Sequence, residues 1–229
     1  LITLPGERVP GASLVYEGLR HAADALGTTI EMATAAGDGF AMPGVVAMGR
    51  PTANHLLPPR FQQAGDLAVL LGRTREELDG SVYDAHLRGI RQGTPPWVDL
   101  ENERRLQDMV RAAGESELLK SACGLGSGGL IRGTLHACGV DVPSGSLLGL
   151  QGDPDESLRP EARLFAESPS RMLVSVAPND LPLLKEKASR AEVPVHFLGK
   201  IGGDRLEING QLRVALESLR RAWHGSKGR

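Results

Sequence analysis

The residues with the most chemical potential lie in two short stretches, S-A-C-G-L-G-S-G-G-L at 121–130 and E-S-P-S-R at 167–171. The first has the form of a strand or turn, then glycines, then a helix start. Free amides and the positive end of a helix dipole hold anions at such places. Ser121, Gly128 and Gly129 are therefore its candidate nucleotide- or phosphate-binding positions. The stretch lacks the Lys of a G-x-x-x-x-G-K-[ST] loop, and pattern alone favours close packing of the helix against a strand. The second stretch sets Glu167, Ser168, Ser170 and Arg171 at the entrance of a buried strand. Arg171 has the fork geometry to meet a phosphate bidentately. A local Glu–Arg pair with turn-forming serines accounts for the cluster equally well.

Other reactive side chains are poorly supported. A helix N-terminus would lower the pKa of Cys123, but no acid/base partner is identifiable in its surroundings. The six histidines, at 21, 55, 86, 136, 196 and 224, never stand four residues apart or in an H-x-x-E-H arrangement, so zinc-type spacing is absent. No residue is assigned a catalytic role, and none is assigned to a metal.

The elements that must position these stretches follow from periodicity and punctuation. Residues 13–26 place Val15, Leu19, Ala22 and Leu26 on one helical face, with Ser13 as cap and Gly27 as stop. A short strand at 44–49 precedes a Pro-rich linker at 50–60. Residues 65–72 read as a buried strand. A helix over 95–114 is capped by Asp99, carries Glu101 and Glu103 at its positive end, and buries Leu106, Met109, Val110 and Ala113. Residues 128–139 form the next helix and 141–163 a loop or weak helix. A strand at 170–178, a helix at 179–191 capped by Asp180, and a strand at 193–201 follow. Asn-Gly inside 204–214 signals a hairpin, and Leu216, Leu219 and Trp223 open a last helix. The alternation after residue 64 predicts an α/β (α+β) domain, a mixed sheet covered by helices.

Composition excludes several classes. The 229 residues are 41% hydrophobic and 24% charged, with a net charge of −2, so no basic field exists for nucleic acid or an anionic membrane. Aromatics at 3% argue against base-stacking platforms. The longest apolar runs fall far short of a membrane span. Cys123 and Cys138 do not form a C-x-x-C pair and read as reduced thiols, which places the chain in the cytoplasm. Leu1 and the helix-and-strand remnant at 1–50 suggest part of a longer chain.

The segment P-P-W-V-D-L-E-N-E-R-R-L-Q-D-M-V-R-A-A-G-E-S-E-L-L-K-S-A-C-G-L-G-S-G-G-L (95–130), followed by L-F-A-E-S-P-S-R-M-L-V-S-V-A-P (164–178), resembles the second half of phosphoribosylformylglycinamidine synthase, on the aminoimidazole-ribonucleotide-synthetase fold. The segment 65–89 and A-L-G-T at 25–28 fit in order and spacing. The resemblance implies an ATP-dependent ligase of purine biosynthesis that converts formylglycinamide ribonucleotide to the amidine with ammonia from glutamine. It implies ATP or ADP with Mg²⁺ in the full enzyme, though neither is demonstrable from this chain. It also implies as partners an N-terminal half, a glutaminase domain or subunit, and a homodimeric or pseudo-twofold pairing. By that template residues 1–60 are the tail of an N-terminal domain plus linker, and 61–229 a C-terminal domain. Selenophosphate synthetase, hydrogenase-maturation and thiamine-phosphate kinase relatives share the fold but match less well.

The departures from this family are specific. Its loop reads S-A-H-D-x-S-D-G-G-L, and here Cys123, Gly124, Gly126 and Ser127 replace His, Asp, Ser and Asp. Every ionisable side chain of the loop is gone, and with it the carboxylates that would hold Mg²⁺. Upstream, the family's G-N-V-S-[LF]-Y-N-E region is replaced by residues 31–44. By contrast, Glu167, Ser168 and Arg171 match their family positions and are the candidates for the substrate cleft. The chain is thus expected to be the second, mainly structural half of the enzyme. A catalytically silent scaffold of the same fold is the alternative.

Overall fold

The computed structural model describes residues 2–4, 12–29, 32–34, 44–45, 56–90, 92–152, 157–208 and 212–225. The chain divides into two compact units, 1–54 and 55–229. The first contains β1 (Ile2–Leu4), α1 (Ala12–Leu26), β2 (Met32–Thr34) and β3 (Gly44–Val45), with β1 parallel to β2 and antiparallel to β3. The expected α1 is present, and the strand expected at 44–49 is described only as β3. The divergent stretch 31–44 and the start of the 50–60 linker lie mostly outside the described residues. Leu57, near the linker's end, packs against the core beneath α2 (Leu100–Glu115) in the second unit.

The second unit is built on seven strands. They are β4 (Leu67–Leu71), β5 (Leu119–Gly124), β6 (Leu150–Gly152), β7 (Met172–Val176), β8 (Val195–Ile201), β9 (Arg205–Ile208) and β10 (Leu212–Ala215). They lie in the order β10-β9-β6-β8-β4-β7-β5. All neighbours are antiparallel except β6 and β9. The α/β class with a mixed, helix-covered sheet therefore holds. Because side chains alternate across a strand, β4 feeds two cores. Val69 and Leu71 pack with α2 and α5 (Leu181–Arg190), while Ala68 and Leu70 face α3 (Gly129–Ala137) and α6 (Leu216–Gly225).

Helix α2 starts for the reason its sequence indicates. Asp99 accepts hydrogen bonds from the amides of Glu101 and Asn102, both at 3.1 Å, satisfying two orphan donors of the first turn. Its apolar stripe, Leu106, Met109, Val110 and Ala113, is buried as expected. Each such residue contributes roughly 1.5–3 kcal/mol when fully buried, Ala less. Among the described residues no helix is long and apolar enough to cross a membrane.

Two expectations need correction, and one element was not anticipated. Residues 141–163 hold a strand, β6, and the start of a helix, α4 (Pro160–Phe165). Only glycines let β6 meet β8: a Cβ on Gly152 would collide with the Leu198 carbonyl. Pro160 opens α4, where its missing N–H costs nothing. Asp180 precedes α5 but makes no side-chain cap; a 3₁₀ turn over Pro178–Asp180 leads into the helix instead. A five-residue π-helical turn at Asp84–Arg88, closed by Gly89 in the left-handed conformation, has no counterpart in the sequence reading.

Candidate functional site

Strands β4, β5 and β7 bring the two chemically interesting stretches to one end of the sheet. Leu71 and Gly124 both pair with Met172, the first residue of β7. The exit of β4, the glycine loop after β5 and the E-S-P-S-R turn before β7 therefore converge.

Within that convergence Glu167 is the connector. Its Oε1 accepts the Gly128 amide and the Val82 amide, each at 2.8 Å. Gly128 is the residue before α3, with φ at 79°, so a carboxylate of the chain itself occupies the start of the helix. Negative charge is favoured there by the dipole, and the N–H is satisfied. The next amide, of Gly129, is also committed, donating to the Gly126 carbonyl at 2.9 Å. Gly129 must be glycine, since its φ is +63° and a Cβ would lie 2.6 Å from the Ala166 carbonyl oxygen. Close packing thus explains Gly129, although the partner is the segment leaving α4 and not a strand, while a Cβ on Gly124 or Gly126 would meet open space.

Ser168 and Arg171 are built into the scaffold. The Ser168 hydroxyl accepts the Arg75 amide at 2.9 Å, and its residue is 1% exposed. Arg171 is 2% exposed and donates to the Ser168 carbonyl, the Ala166 carbonyl and the Thr74 hydroxyl, at 2.8, 2.6 and 3.0 Å. Burial lowers its pKa to about 10, against the opposing pull of Glu77 and Glu167. These side chains were expected at a substrate cleft. Ser168 and Arg171 tie the β4 exit to the segment leaving α4, and Glu167 ties that segment to the glycine loop. Ser121, the candidate phosphate contact before the loop, is bonded within the sheet. It lies in β5, 1% exposed, with its hydroxyl 2.6 Å from that of Ser175 in β7. The Arg75–Ser168, Thr74–Arg171 and Ser121–Ser175 contacts could not be read locally, because they join residues 93, 97 and 54 positions apart.

The outer side of the glycine loop lines an open cavity of about 580 Å³ with Cys123, Arg132, His136 and Asp141. His136 Nδ1 lies 2.7 Å from Asp141 Oδ2, and Arg60 Nε lies 3.7 Å from Asp141 Oδ1. The cysteine sulfur contacts the Gly124 and Gly133 carbonyls. Burial, and then the Asp141 charge, raise its pKa. It is therefore a protonated, packed thiol without the electropositive surroundings of a nucleophile. Glycines 124, 126 and 129 have G-x-G-x-x-G spacing between β5 and α3. The parallel βαβ context of a dinucleotide site is nevertheless missing among the described residues, where β5 pairs only with antiparallel β7.

The donors at the loop do not fit Mg²⁺, which takes hard oxygen ligands, commonly carboxylates. The loop offers only a thiol, a serine hydroxyl and backbone. Among the described residues no three His, Cys, Asp or Glu side chains gather as a metal site.

Comparisons with known proteins agree with this architecture. Residues 63–210 match the family model described as AIR synthase related protein, C-terminal domain. The chain is 37% identical over 168 residues to the phosphoribosylformylglycinamidine synthase subunit PurL of Anaeromyxobacter sp. (strain K), covering 71% of this chain and 22% of that protein. It is 35% identical over 170 residues to the PurL subunit of Alkaliphilus metalliredigens (strain QYMF), again covering 22% of the relative. The chain thus spans about a fifth of the length of the curated relatives it matches. Among solved structures, Thermotoga maritima PurL complexed with FGAR superposes with a TM-score of 0.75 at 18% identity, over 96% of this chain and 38% of that one. The hydrogenase maturation protein HypE of E. coli superposes with a TM-score of 0.55 at 16% identity, over 93% of this chain and 70% of that one. At these identities the structural likeness concerns the fold.

Proposed function

The chain belongs to the AIR synthase related family through the C-terminal domain of that family, and from this premise we infer that it is part of an ATP-dependent ligase of purine biosynthesis. The reaction is the conversion of formylglycinamide ribonucleotide to its amidine with glutamine-derived ammonia. Residues 61–229 supply the C-terminal synthetase-like domain, and residues 1–60 the tail of the domain before it. The single observation that carries this reading is the 37% identity to a PurL subunit over 168 residues. The T. maritima structures described as PurL complexed with ATP and as PurLQS support a nucleotide and further subunits in the complete enzyme. The partners are then the rest of the synthase and a glutaminase, in the cytoplasm.

In this account the chain's part is mainly structural. Glu167, Ser168 and Arg171 brace the turn between α4 and β7 against the β4 exit and the glycine loop. The glycine loop, without acids or imidazole, handles neither Mg²⁺ nor protons. A catalytically silent scaffold is the second reading, and the observation favouring it is the Glu167 carboxylate bound to the Gly128 amide, where an external phosphate would sit. Reconstitution separates the two. With the preceding portion of the synthase and a source of ammonia supplied, adding residues 1–229 restores amidine formation from formylglycinamide ribonucleotide and ATP if the chain is part of the enzyme. If amidine formation is unchanged by the addition, the silent scaffold stands. Turnover with selenide or thiamine phosphate would instead point to another ATP-using member of the superfamily.

A further inference from the structure

Beside the E-S-P-S-R turn, on the face of the sheet covered by α2, lies a second cavity, of about 140 Å³. Its walls come from the β4 exit (Arg73), the approach to α2 (Trp97, Asn102), the turn itself (Ser170) and the segment entering β8 (Val193, Pro194).

Five observations bear on what it takes. Arg73 is exposed and has no ion pair or side-chain hydrogen bond among the described residues. The carboxylates in the wall are engaged elsewhere: Asp99 caps α2 and accepts the Asn102 side-chain amide, and Glu192 pairs with Arg105. The guanidinium of Arg75 lies 5.5 Å from the ring centroid of Trp97, yet Trp97 remains 63% exposed, an indole face held in place and left uncovered. The Ser170 hydroxyl is buried without a hydrogen-bond partner among the described residues. Finally, Ser170 holds a positive φ of 55°, and it is the one non-glycine residue among those described to do so away from a helix end, since Glu117 and Glu192 close α2 and α5. Backbone strain of this kind gathers at ligand sites.

A free guanidinium, an unsatisfied hydroxyl and an aromatic face over an apolar floor of Leu106 and Val193 suit one class of ligand. An engineered apolar cavity of about 150 Å³ admits benzene, so the volume here matches a single six-membered ring. We propose that this cavity binds a single aromatic ring carrying an oxyanion, phosphate or carboxylate, with the ring against Trp97 and the anion on Arg73 and Ser170. The site is separate from the glycine loop and stands independently of the purine-biosynthesis reading.

The chain has two tryptophans, so Trp223→Phe leaves Trp97 as the sole indole reporter. Titration of that variant with phenyl phosphate and with benzoate gives a saturable change in emission for at least one of them, and the stronger identifies the anion. Phenol and inorganic phosphate bind at least about tenfold more weakly, since each lacks one half of the recognition. Arg73→Ala, an exposed change that leaves the melting temperature in place, weakens the ring anion about tenfold. Ser170→Ala weakens it a few-fold. Arg132→Ala, on the glycine-loop cavity, leaves it unchanged. If Trp223→Phe fails to fold, calorimetry on the unsubstituted chain reads the same series. No saturation by either ring anion, an Arg73→Ala titration matching the parent, or loss of binding in Arg132→Ala would each overturn the proposal.

Discussion

The Oε1 oxygen of Glu167 sits 2.8 Å from the amide nitrogen of Gly128, 39 residues away in sequence. The same oxygen accepts the Val82 amide at 2.8 Å, so one carboxylate joins the segment entering the Asp84–Arg88 turn to the start of α3. Removing it leaves two backbone donors without their acceptor. Glu167→Ala is expected to lower stability by about 2 kcal/mol, and Glu167→Gln by less, because an amide oxygen still accepts. Urea unfolding reads both through the midpoint at constant slope. Equal effects from the two variants would show that side-chain packing, not the acceptor, matters at this position.

Two glycines of the same loop are expected to respond in opposite ways. Gly129 has a left-handed φ and the Ala166 and Leu164 carbonyls 2.6 and 2.8 Å from where a Cβ would stand, while Gly126 faces open space. Gly129→Ala should cost more than about 2 kcal/mol through strain and backbone overlap. Gly126→Ala should stay within about 0.5 kcal/mol of the parent. Thermal melts of the pair compare them directly, and a tolerated Gly129→Ala would refute the packing explanation.

The Ser121–Ser175 pair offers a test of the role assigned to Ser121. Each single change to Ala strands the other hydroxyl in the sheet and should cost about 1–2 kcal/mol. The double variant should cost less than the sum of the two, the signature of direct coupling. Additive costs would mean that the hydroxyls act separately and that Ser121 is free for another purpose.

Cys138 supplies a pH dependence. Burial raises its pKa from 9.0 to about 12. The folded state therefore prefers the neutral thiol, whose contribution is complete below pH 9 and fades as pH rises toward 12. Between pH 8 and 10 this group alone withdraws about 1 kcal/mol. Cys138→Ala should flatten the alkaline decline by that amount when unfolding is measured at both pH values. Parallel declines in parent and variant would assign the loss to other groups.

What could be read in advance was what is local. Asp99 and the Leu106–Met109–Val110–Ala113 stripe announce α2 because cap and period sit within one helix. The Asn-Gly step announces the β9–β10 hairpin, whose strands pair antiparallel around it. β6 could not be read, because three residues become a strand only where Gly152 and Gly199 admit close neighbours from elsewhere in the chain. The same holds for the site. The glycine loop and E-S-P-S-R were visible as unusual compositions, but that Glu167 ends at Gly128 is a tertiary fact. The reach of Arg171 to Thr74, 97 residues away, is likewise a contact that spacing does not reveal.

The central claim is that the glycine loop is a helix-start scaffold already supplied with its anion by Glu167. Calorimetric titration of the chain with ADP in the presence of Mg²⁺ tests it most directly. The expected result is no saturable binding below millimolar ADP, in the parent and in Arg132→Ala alike. Saturable micromolar binding that requires Mg²⁺ and is lost in Arg132→Ala would place a working nucleotide site at this loop and contradict the account.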